Sequence, residues 1–268
     1  MKVYNSEYSG GQIRVLQAHQ FIAYREMFPL YDRAAPFAAD FFDSQHLLDL
    51  GANIGDSLVD FVKSRGREIY CVEGDKNFFS HLESNIEYLS QQGFKSNRAY
   101  NFIIGEGKKY IHSKNGSGVA IECDTAEHAV PIMQLLEVLG TSPDFIKCDF
   151  DGYDAEALYP AMLEIRRTRP VIFFECDYQN LRQRLYYQEF LDSLFSIGAS
   201  VIFFDNFGTP YGLVRDSSQV SVLFDSLDFQ RKFPGGPKIF YYDALVVWDG
   251  IVGNMFLREF KRRFFDSL

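Results

Sequence analysis

An apolar run meets a glycine turn at Leu47-Leu48-Asp49-Leu50-Gly51-Ala52-Asn53-Ile54-Gly55-Asp56, and an acid, Glu73, follows 22 residues after Gly51. Gly51 lets the backbone turn tightly and approach a ligand without a Cβ in the way. Gly55 lets the next helix start against the strand. The apolar run Ile69-Tyr70-Cys71-Val72 then ends in Glu73. A carboxylate at the end of a second strand can accept hydrogen bonds from both hydroxyls of a ribose. Strand, glycine turn, helix and a later acid together form the first unit of a nucleotide-binding α/β fold. The expected ligand is a nucleoside.

The glycine spacing says which. Dinucleotide sites use G-x-G-x-x-G, whose middle glycine admits a pyrophosphate to the helix N-terminus. Here the pattern is Gly51-x-x-x-Gly55, with Asn53 in place of the middle glycine. Asp56 adds a carboxylate near the helix start, which suits a cation and repels a pyrophosphate. S-adenosylmethionine has an adenosine, a sulfonium, an ammonium and no phosphate, and fits better than NAD.

A second segment carries acids: Asp144-Phe145-Ile146-Lys147-Cys148-Asp149-Phe150-Asp151-Gly152-Tyr153-Asp154. Ligands of open α/β sheets bind beyond the carboxyl ends of the strands. Asp149, at a strand end, is therefore expected in the same crevice as the Gly51 turn. Three carboxylates round one mouth could hold a cationic ligand, raise one another's pKa or bind a metal. Asp151 and Asp154 have a second reading as caps of the following helix. By alternation Lys147 shares a side of its strand with Asp149. It could pair with an acid in the mouth or form a buried structural pair.

The elements that must position these residues alternate. Helical spacing covers 11–40, interrupted by Pro29 and Pro36. Strands are expected at 46–50, 69–73, 97–105, 145–148, 171–174, 201–204 and 244–248. Helices are expected at 55–65, 77–90 (capped by Asn77), 131–139, 153–166 and 179–197. Residues 108–123 read as a hairpin turning at Asn115-Gly116-Ser117-Gly118. Buried strands separated by helices give a mostly parallel central sheet with helices on both faces. The N-terminal helical segment, 1–40, is read as a cap on the catalytic domain, 41–268.

Composition narrows the class. The chain has 268 residues, is 47% hydrophobic and carries a net charge of −9, which argues against a nucleic-acid partner. No apolar run is long enough for a membrane span. The polar N-terminus does not read as a signal peptide. Cys71, Cys123, Cys148 and Cys176 show no C-x-x-C spacing and read as buried thiols of a cytoplasmic protein. The basic stretch at 258–263 reads as a solvated C-terminal helix.

The pairing of Asp49-Leu50-Gly51-Ala52-Asn53-Ile54-Gly55 with Ile146-Lys147-Cys148-Asp149-Phe150-Asp151-Gly152-Tyr153-Asp154 resembles the FkbM family of S-adenosylmethionine-dependent methyltransferases. Glu73 and the strand Val171-Ile172-Phe173-Phe174-Glu175 complete the family's order, over about residues 46–176. The acids at 151 and 154 depart from it, being Asp where the family has Glu. The resemblance implies a Rossmann-like class I methyltransferase fold with S-adenosyl-L-methionine as cofactor. It implies that the Asp49–Gly55 segment, with Gly51, Ala52, Asn53 and Gly55, cradles the methionine portion, with Asp56 beside it, and that Glu73 binds the ribose. Gly74 and Asp75 would flank the adenine, near Ile103, Ile104 and Gly105. Asp149 would face the amino-acid portion or the sulfonium.

The implied chemistry is SN2 transfer of a methyl, to oxygen before nitrogen. A hydroxyl acceptor benefits from a base, for which Asp149, Asp151 and Glu175 are the candidates; His112 and His128 are weaker ones. No metal ligands are assigned, although an ion bridging Asp149, Asp151 and the acceptor is an option. The acceptor is a sugar or glycan hydroxyl, as in polysaccharide biosynthesis, or a small metabolite. Tyr153, Tyr178, Tyr186, Tyr187, Phe207, Tyr211, Tyr241 and Tyr242 are candidate lining residues, and Asp205–Pro210 is the candidate acceptor loop. A homo-oligomer is compatible with this. Two other readings stay open: an NAD-linked oxidoreductase, and a catalytically silent cofactor-binding domain partnering a glycosyltransferase.

Overall fold

The computed structural model describes residues 1–16, 19–63, 67–114, 117–122, 124, 126–232 and 239–265. The chain opens with an antiparallel hairpin, β1 (Lys2–Asn5) and β2 (Gln12–Val15), followed by α1 (Phe21–Met27) and α2 (Ala34–Phe41). The alternating part runs β3 (His46–Leu50), α3 (Leu58–Phe61), β4 (Glu68–Val72), α4 (Lys76–Gln91) and β5 (Asn97–Tyr100). A small separate sheet follows: β6 (Lys108–Lys114), β7 (Ser117–Glu122) and β8 (Glu127–His128). Then come α5 (Ile132–Leu139), β9 (Phe145–Cys148), α6 (Asp154–Leu158), α7 (Met162–Thr168), β10 (Val171–Cys176) and α8 (Leu181–Ser196). The chain continues with β11 (Ser200–Asp205), β12 (Pro210–Val214), α9 (Ser217–Lys232), β13 (Tyr242–Val247) and α10 (Gly250–Phe264).

Eight strands form the central sheet in the order β12-β11-β13-β10-β9-β3-β4-β5. The pairs from β10 through β9, β3 and β4 to β5 are parallel, and β13 lies antiparallel between β10 and β11. Both faces are covered, so the central strands are apolar at successive positions. Leu48, Leu50, Ile146, Cys148, Ile172 and Phe174 pack on one face. Leu47, Phe145, Phe173, Ile202, Phe204 and Leu245 pack on the other. This is the expected α/β fold.

Some boundaries differ from the sequence reading. Within 11–40 the helical expectation holds from Phe21 onwards, but Gln12–Val15 is a strand. Ile13 and Val15 are buried one residue apart, and Asn85 of α4 binds the backbone N–H and C=O of Arg14 between them. The helix expected over 55–65 is only Leu58–Phe61: Asn53 and Gly55 hold positive φ before it, and Val62 is extended after it. The third strand stops at Tyr100 rather than 105. Helix α4 is capped by Asp75, whose carboxylate accepts from Asn77 and Phe78 N–H, and not by Asn77. The first hairpin, β12 and α9 were not foreseen. The hairpin over 108–123 is present as β6 and β7 in antiparallel register; Asn115, Gly116 and Cys123 lie outside the described residues. Cys71, Cys148 and Cys176 are buried and free. Among the described residues, no helix is long and apolar enough to cross a membrane.

Candidate active site

The glycine turn sits where β3 ends, and its conformation is forced by its neighbours. Gly51 has φ +78°, and a Cβ there would lie 2.0 Å from the Asp149 carbonyl oxygen. The glycine is thus needed for the close approach of two strand ends, whose backbones join through Asp149 N–H to Leu50 C=O at 3.0 Å. At the end of β4, Glu73 is buried and accepts from Asn53 N–H (2.8 Å) with one oxygen and Asp75 N–H (2.7 Å) with the other. Each carboxylate oxygen retains acceptor capacity. Burial pushes the Glu73 carboxyl up to about 7, against the two backbone donors, which lower it.

The strand register explains the acids. Lys147 on β9 stands opposite Asp49 on β3. Its ammonium lies 3.4 Å from Asp49 Oδ1 and 3.2 Å from Asp149 Oδ2. Lys147 therefore does both things left open above: it pairs with a buried acid and with an acid of the mouth. Burial pulls its pKa down, but Asp49, Asp149 and Asp56 outweigh this and hold it well above the usual lysine value. Asp49 is itself pushed up by burial, partly countered by its ion pair with Lys147.

Asp149, Asp151 and Glu175 converge: each offers a carboxylate oxygen, and these lie within 4.8 Å of one another. Asp154 sets this up from below. It is fully buried, and its carboxylate accepts from Phe150 N–H (3.3 Å), Glu175 N–H (3.3 Å) and Tyr187 O–H (3.2 Å). It ties the loop after β9 to the end of β10 rather than capping α6 through its side chain. Burial, then Asp149 and Asp151, push the Glu175 carboxyl well above the usual range.

These groups open onto one cavity of about 680 Å³. Gly51, Asn53, Asp56, Glu73, Gly74 and Ile104 line it, as do Asp149, Asp151 and Glu175. Asp49, Ala52 and Gly55 do not; they are behind the lining and shape it. At the Gly74 end the walls are apolar, and a Cβ on Gly74 would meet Ile103 and Ile111 at 3.0 and 3.2 Å.

The opposite wall was largely unread in the sequence. The N-terminal segment contributes His19, Tyr24, Phe28, Tyr31 and Asp32. His19 Nε2 lies 3.3 Å from Asn53 Oδ1, over the glycine turn. Asp32, at φ +55°, is pushed by burial up to about 6. Asp243 enters from β13, opposite Glu175 in the register, and burial holds it well above the usual carboxylate range. No local motif marks these residues; only the fold brings them in. The segment is pinned through Arg25, whose guanidinium binds Asp60 of α3 and donates to Tyr4 O–H at 2.9 Å.

The candidate acceptor loop partly reaches the cavity: Asn206 and Phe207 line it, and Phe207 packs on Phe28 with ring centroids 4.6 Å apart. Tyr211 does not line it; it is half exposed and packs edge-on against Tyr242. Of the other aromatic candidates, Tyr153 and Tyr241 line the cavity, whereas Tyr178, Tyr187 and Tyr242 belong to the core and Tyr186 packs against it. His112 and His128 are exposed on the small sheet, outside the cavity lining.

With this geometry in place, comparison with known proteins gives the class. Residues 49–200 match the model of the methyltransferase FkbM domain. The match covers more than half of the chain, and the protein belongs to the FkbM methyltransferase domain family. No curated protein matches the chain. Among solved structures, it is similar to methyltransferase FkbM from Methylobacillus flagellatus KT, at 15% identity and TM-score 0.40, over 76% of this chain and 44% of that one. It is also similar to the O-methyltransferase from Bacillus cereus in complex with SAH, at 13% identity and TM-score 0.47, over 81% and 80% of the two chains. The chain therefore spans less than half the length of the Methylobacillus protein.

The cofactor of this family is S-adenosylmethionine. The residues fit it: a buried carboxylate with spare acceptor capacity suits a ribose, and an acid-lined cavity suits a sulfonium and an ammonium. A pyrophosphate would face Asp56, Asp149 and Glu175 with Lys147 already paired, so NAD does not fit.

Proposed function

We propose that this protein is an O-methyltransferase acting on a hydroxyl of a sugar, glycan or small metabolite. The observation that carries the reading is the convergence of Asp149, Asp151 and Glu175 on the cavity that Glu73 also lines. S-adenosylmethionine, when bound, supplies an activated methyl on its sulfonium, so the chain's task is alignment. Glu73 holds the ribose hydroxyls, the Gly51–Asp56 turn holds the methionine portion, and Gly74 with Ile104 borders the adenine. Asp149, Asp151 and Glu175 accept a hydrogen bond from the acceptor hydroxyl and orient its oxygen. The cavity volume of about 680 Å³ falls near the middle of the roughly 300–1,000 Å³ of small-molecule sites. Phe28, Phe207 and Tyr241 offer ring faces for a sugar or an aromatic acceptor. Residues 1–40 act as a cap on the catalytic unit, 41–268.

The test is transfer of a labelled methyl from S-adenosylmethionine to a panel of free sugars, nucleotide sugars, phenols and amines. Label in alkali-stable ethers of a hydroxyl compound supports the reading. Label confined to amines would overturn it. Phe207→Ala is expected to raise the acceptor KM while leaving cofactor affinity unchanged; Tyr211→Ala is expected to change neither.

A further inference from the structure

The acids at the mouth are arranged in a way that acceptor binding alone does not require. Glu175 is only 9% exposed and lines the cavity, and its Oε2 has no hydrogen-bond partner among the described residues. A buried carboxylate oxygen without a donor is costly, so it calls for a ligand. Asp149 and Asp151 bring their oxygens within 4.8 Å of it. Two oxygens opposite one another on Mg²⁺, each about 2.0–2.1 Å from it, stand about 4.0–4.2 Å apart, which lies within that limit, so the spacing accommodates one ion. Lys147 occupies Asp149 Oδ2 at 3.2 Å, which leaves the other oxygen of Asp149. Lys147 is also shared with the buried Asp49, so it does not neutralise the cluster by itself.

Resting on the methyltransferase reading, we propose that Asp149, Asp151 and Glu175 form a binding site for one divalent cation of the magnesium class. The donors are all hard oxygens, with no His or Cys in the group, which selects Mg²⁺ or Mn²⁺ over zinc. A hydroxyl bound to the cation would have a lowered pKa and give its proton to solvent water, which makes its oxygen a better nucleophile toward the sulfonium methyl.

The test uses the full chain, stripped of metal by chelator, and follows free Mn²⁺ by its paramagnetic resonance signal. The expected result is uptake of one Mn²⁺ per chain, displaced by excess Mg²⁺. Glu175→Gln and Asp151→Asn are each expected to weaken uptake about tenfold or more, while Asp32→Asn, at a cavity acid outside the trio, leaves it unchanged. Both trio variants are checked for the parent's cooperative thermal unfolding; should Glu175→Gln not fold, Asp151→Asn, at a half-buried position, carries the test. No uptake at millimolar Mn²⁺ by the folded parent, or equal uptake by both trio variants, would overturn the site. Titrating the same sample with cofactor separates the two readings. A chain that binds S-adenosylmethionine and no Mn²⁺ loses the ion site alone. One that takes up Mn²⁺ but no cofactor keeps the ion site and loses the cofactor reading.

Discussion

In the proposed cofactor site Glu73 is the residue on which most of the reading rests. Its two oxygens are held by backbone N–H groups, and burial still pushes it up to about 7. On the proposed reading the ribose hydroxyls donate to the ionised form, so the bound state would have the lower pKa. Cofactor affinity therefore rises with pH up to about 7 and levels above it, and binding at pH 6 releases a proton. Calorimetry at pH 6 in two buffers of different ionisation enthalpy checks this. Gly51 carries a second expectation. An alanine there has its Cβ 2.0 Å from the Asp149 carbonyl oxygen at positive φ, a clash that only backbone movement relieves. Gly51→Ala is expected to cost on the order of 3 kcal/mol in denaturant unfolding. Both residues were legible in the sequence because their demands are local: a tight turn and an acid at a strand end. The cap of α4 was misread as Asn77. Cap choice depends on where the helix starts, and Asp75 and Asn77 are both good caps two residues apart.

Among the elements, α1 and the first hairpin are held to α3 by a buried charge pair. Arg25 and Asp60 are both buried and in contact, with Ser6 O–H also donating to Asp60. Arg25→Met leaves Asp60 buried without its cation, and the expected loss is about 3–5 kcal/mol. Adding Asp60→Leu is expected to restore part of that loss, read in urea unfolding. A chain in which Arg25→Met is neutral would show that the segment is not anchored there. This contact spans 35 residues and carries no motif, so it was not readable. The same holds for the far wall of the cavity. Strand register, not spacing, puts Asp243 opposite Glu175, and the N-terminal segment brings in His19, Tyr31 and Asp32. The parallel strands, by contrast, were readable, because burial on both faces leaves continuous apolar runs.

The molecule as a whole carries net charge −9 and gathers acids round one cavity. Burial raises Asp32 to about 6 and Glu73 to about 7. For acids raised on folding, stability is fully present below the unfolded values near 4 and is lost as pH rises through the folded ones. The cofactor-free protein is therefore expected to lose stability between about pH 4 and 7 from these groups. A cationic ligand that binds only the folded state counters this, so the gain in Tm on adding S-adenosylmethionine is expected to be larger at pH 7.5 than at pH 5.5. Equal gains at both pH values would contradict the placement of the cation among these acids.

The most direct measurement is calorimetric titration of the purified chain with S-adenosylmethionine and S-adenosylhomocysteine, with Glu73→Ala in parallel. The account expects one cofactor per chain and a loss of about tenfold or more in the variant, the equivalent of at least about 1.4 kcal/mol. A folded parent that binds neither compound, or a variant that binds as tightly as the parent, would contradict it.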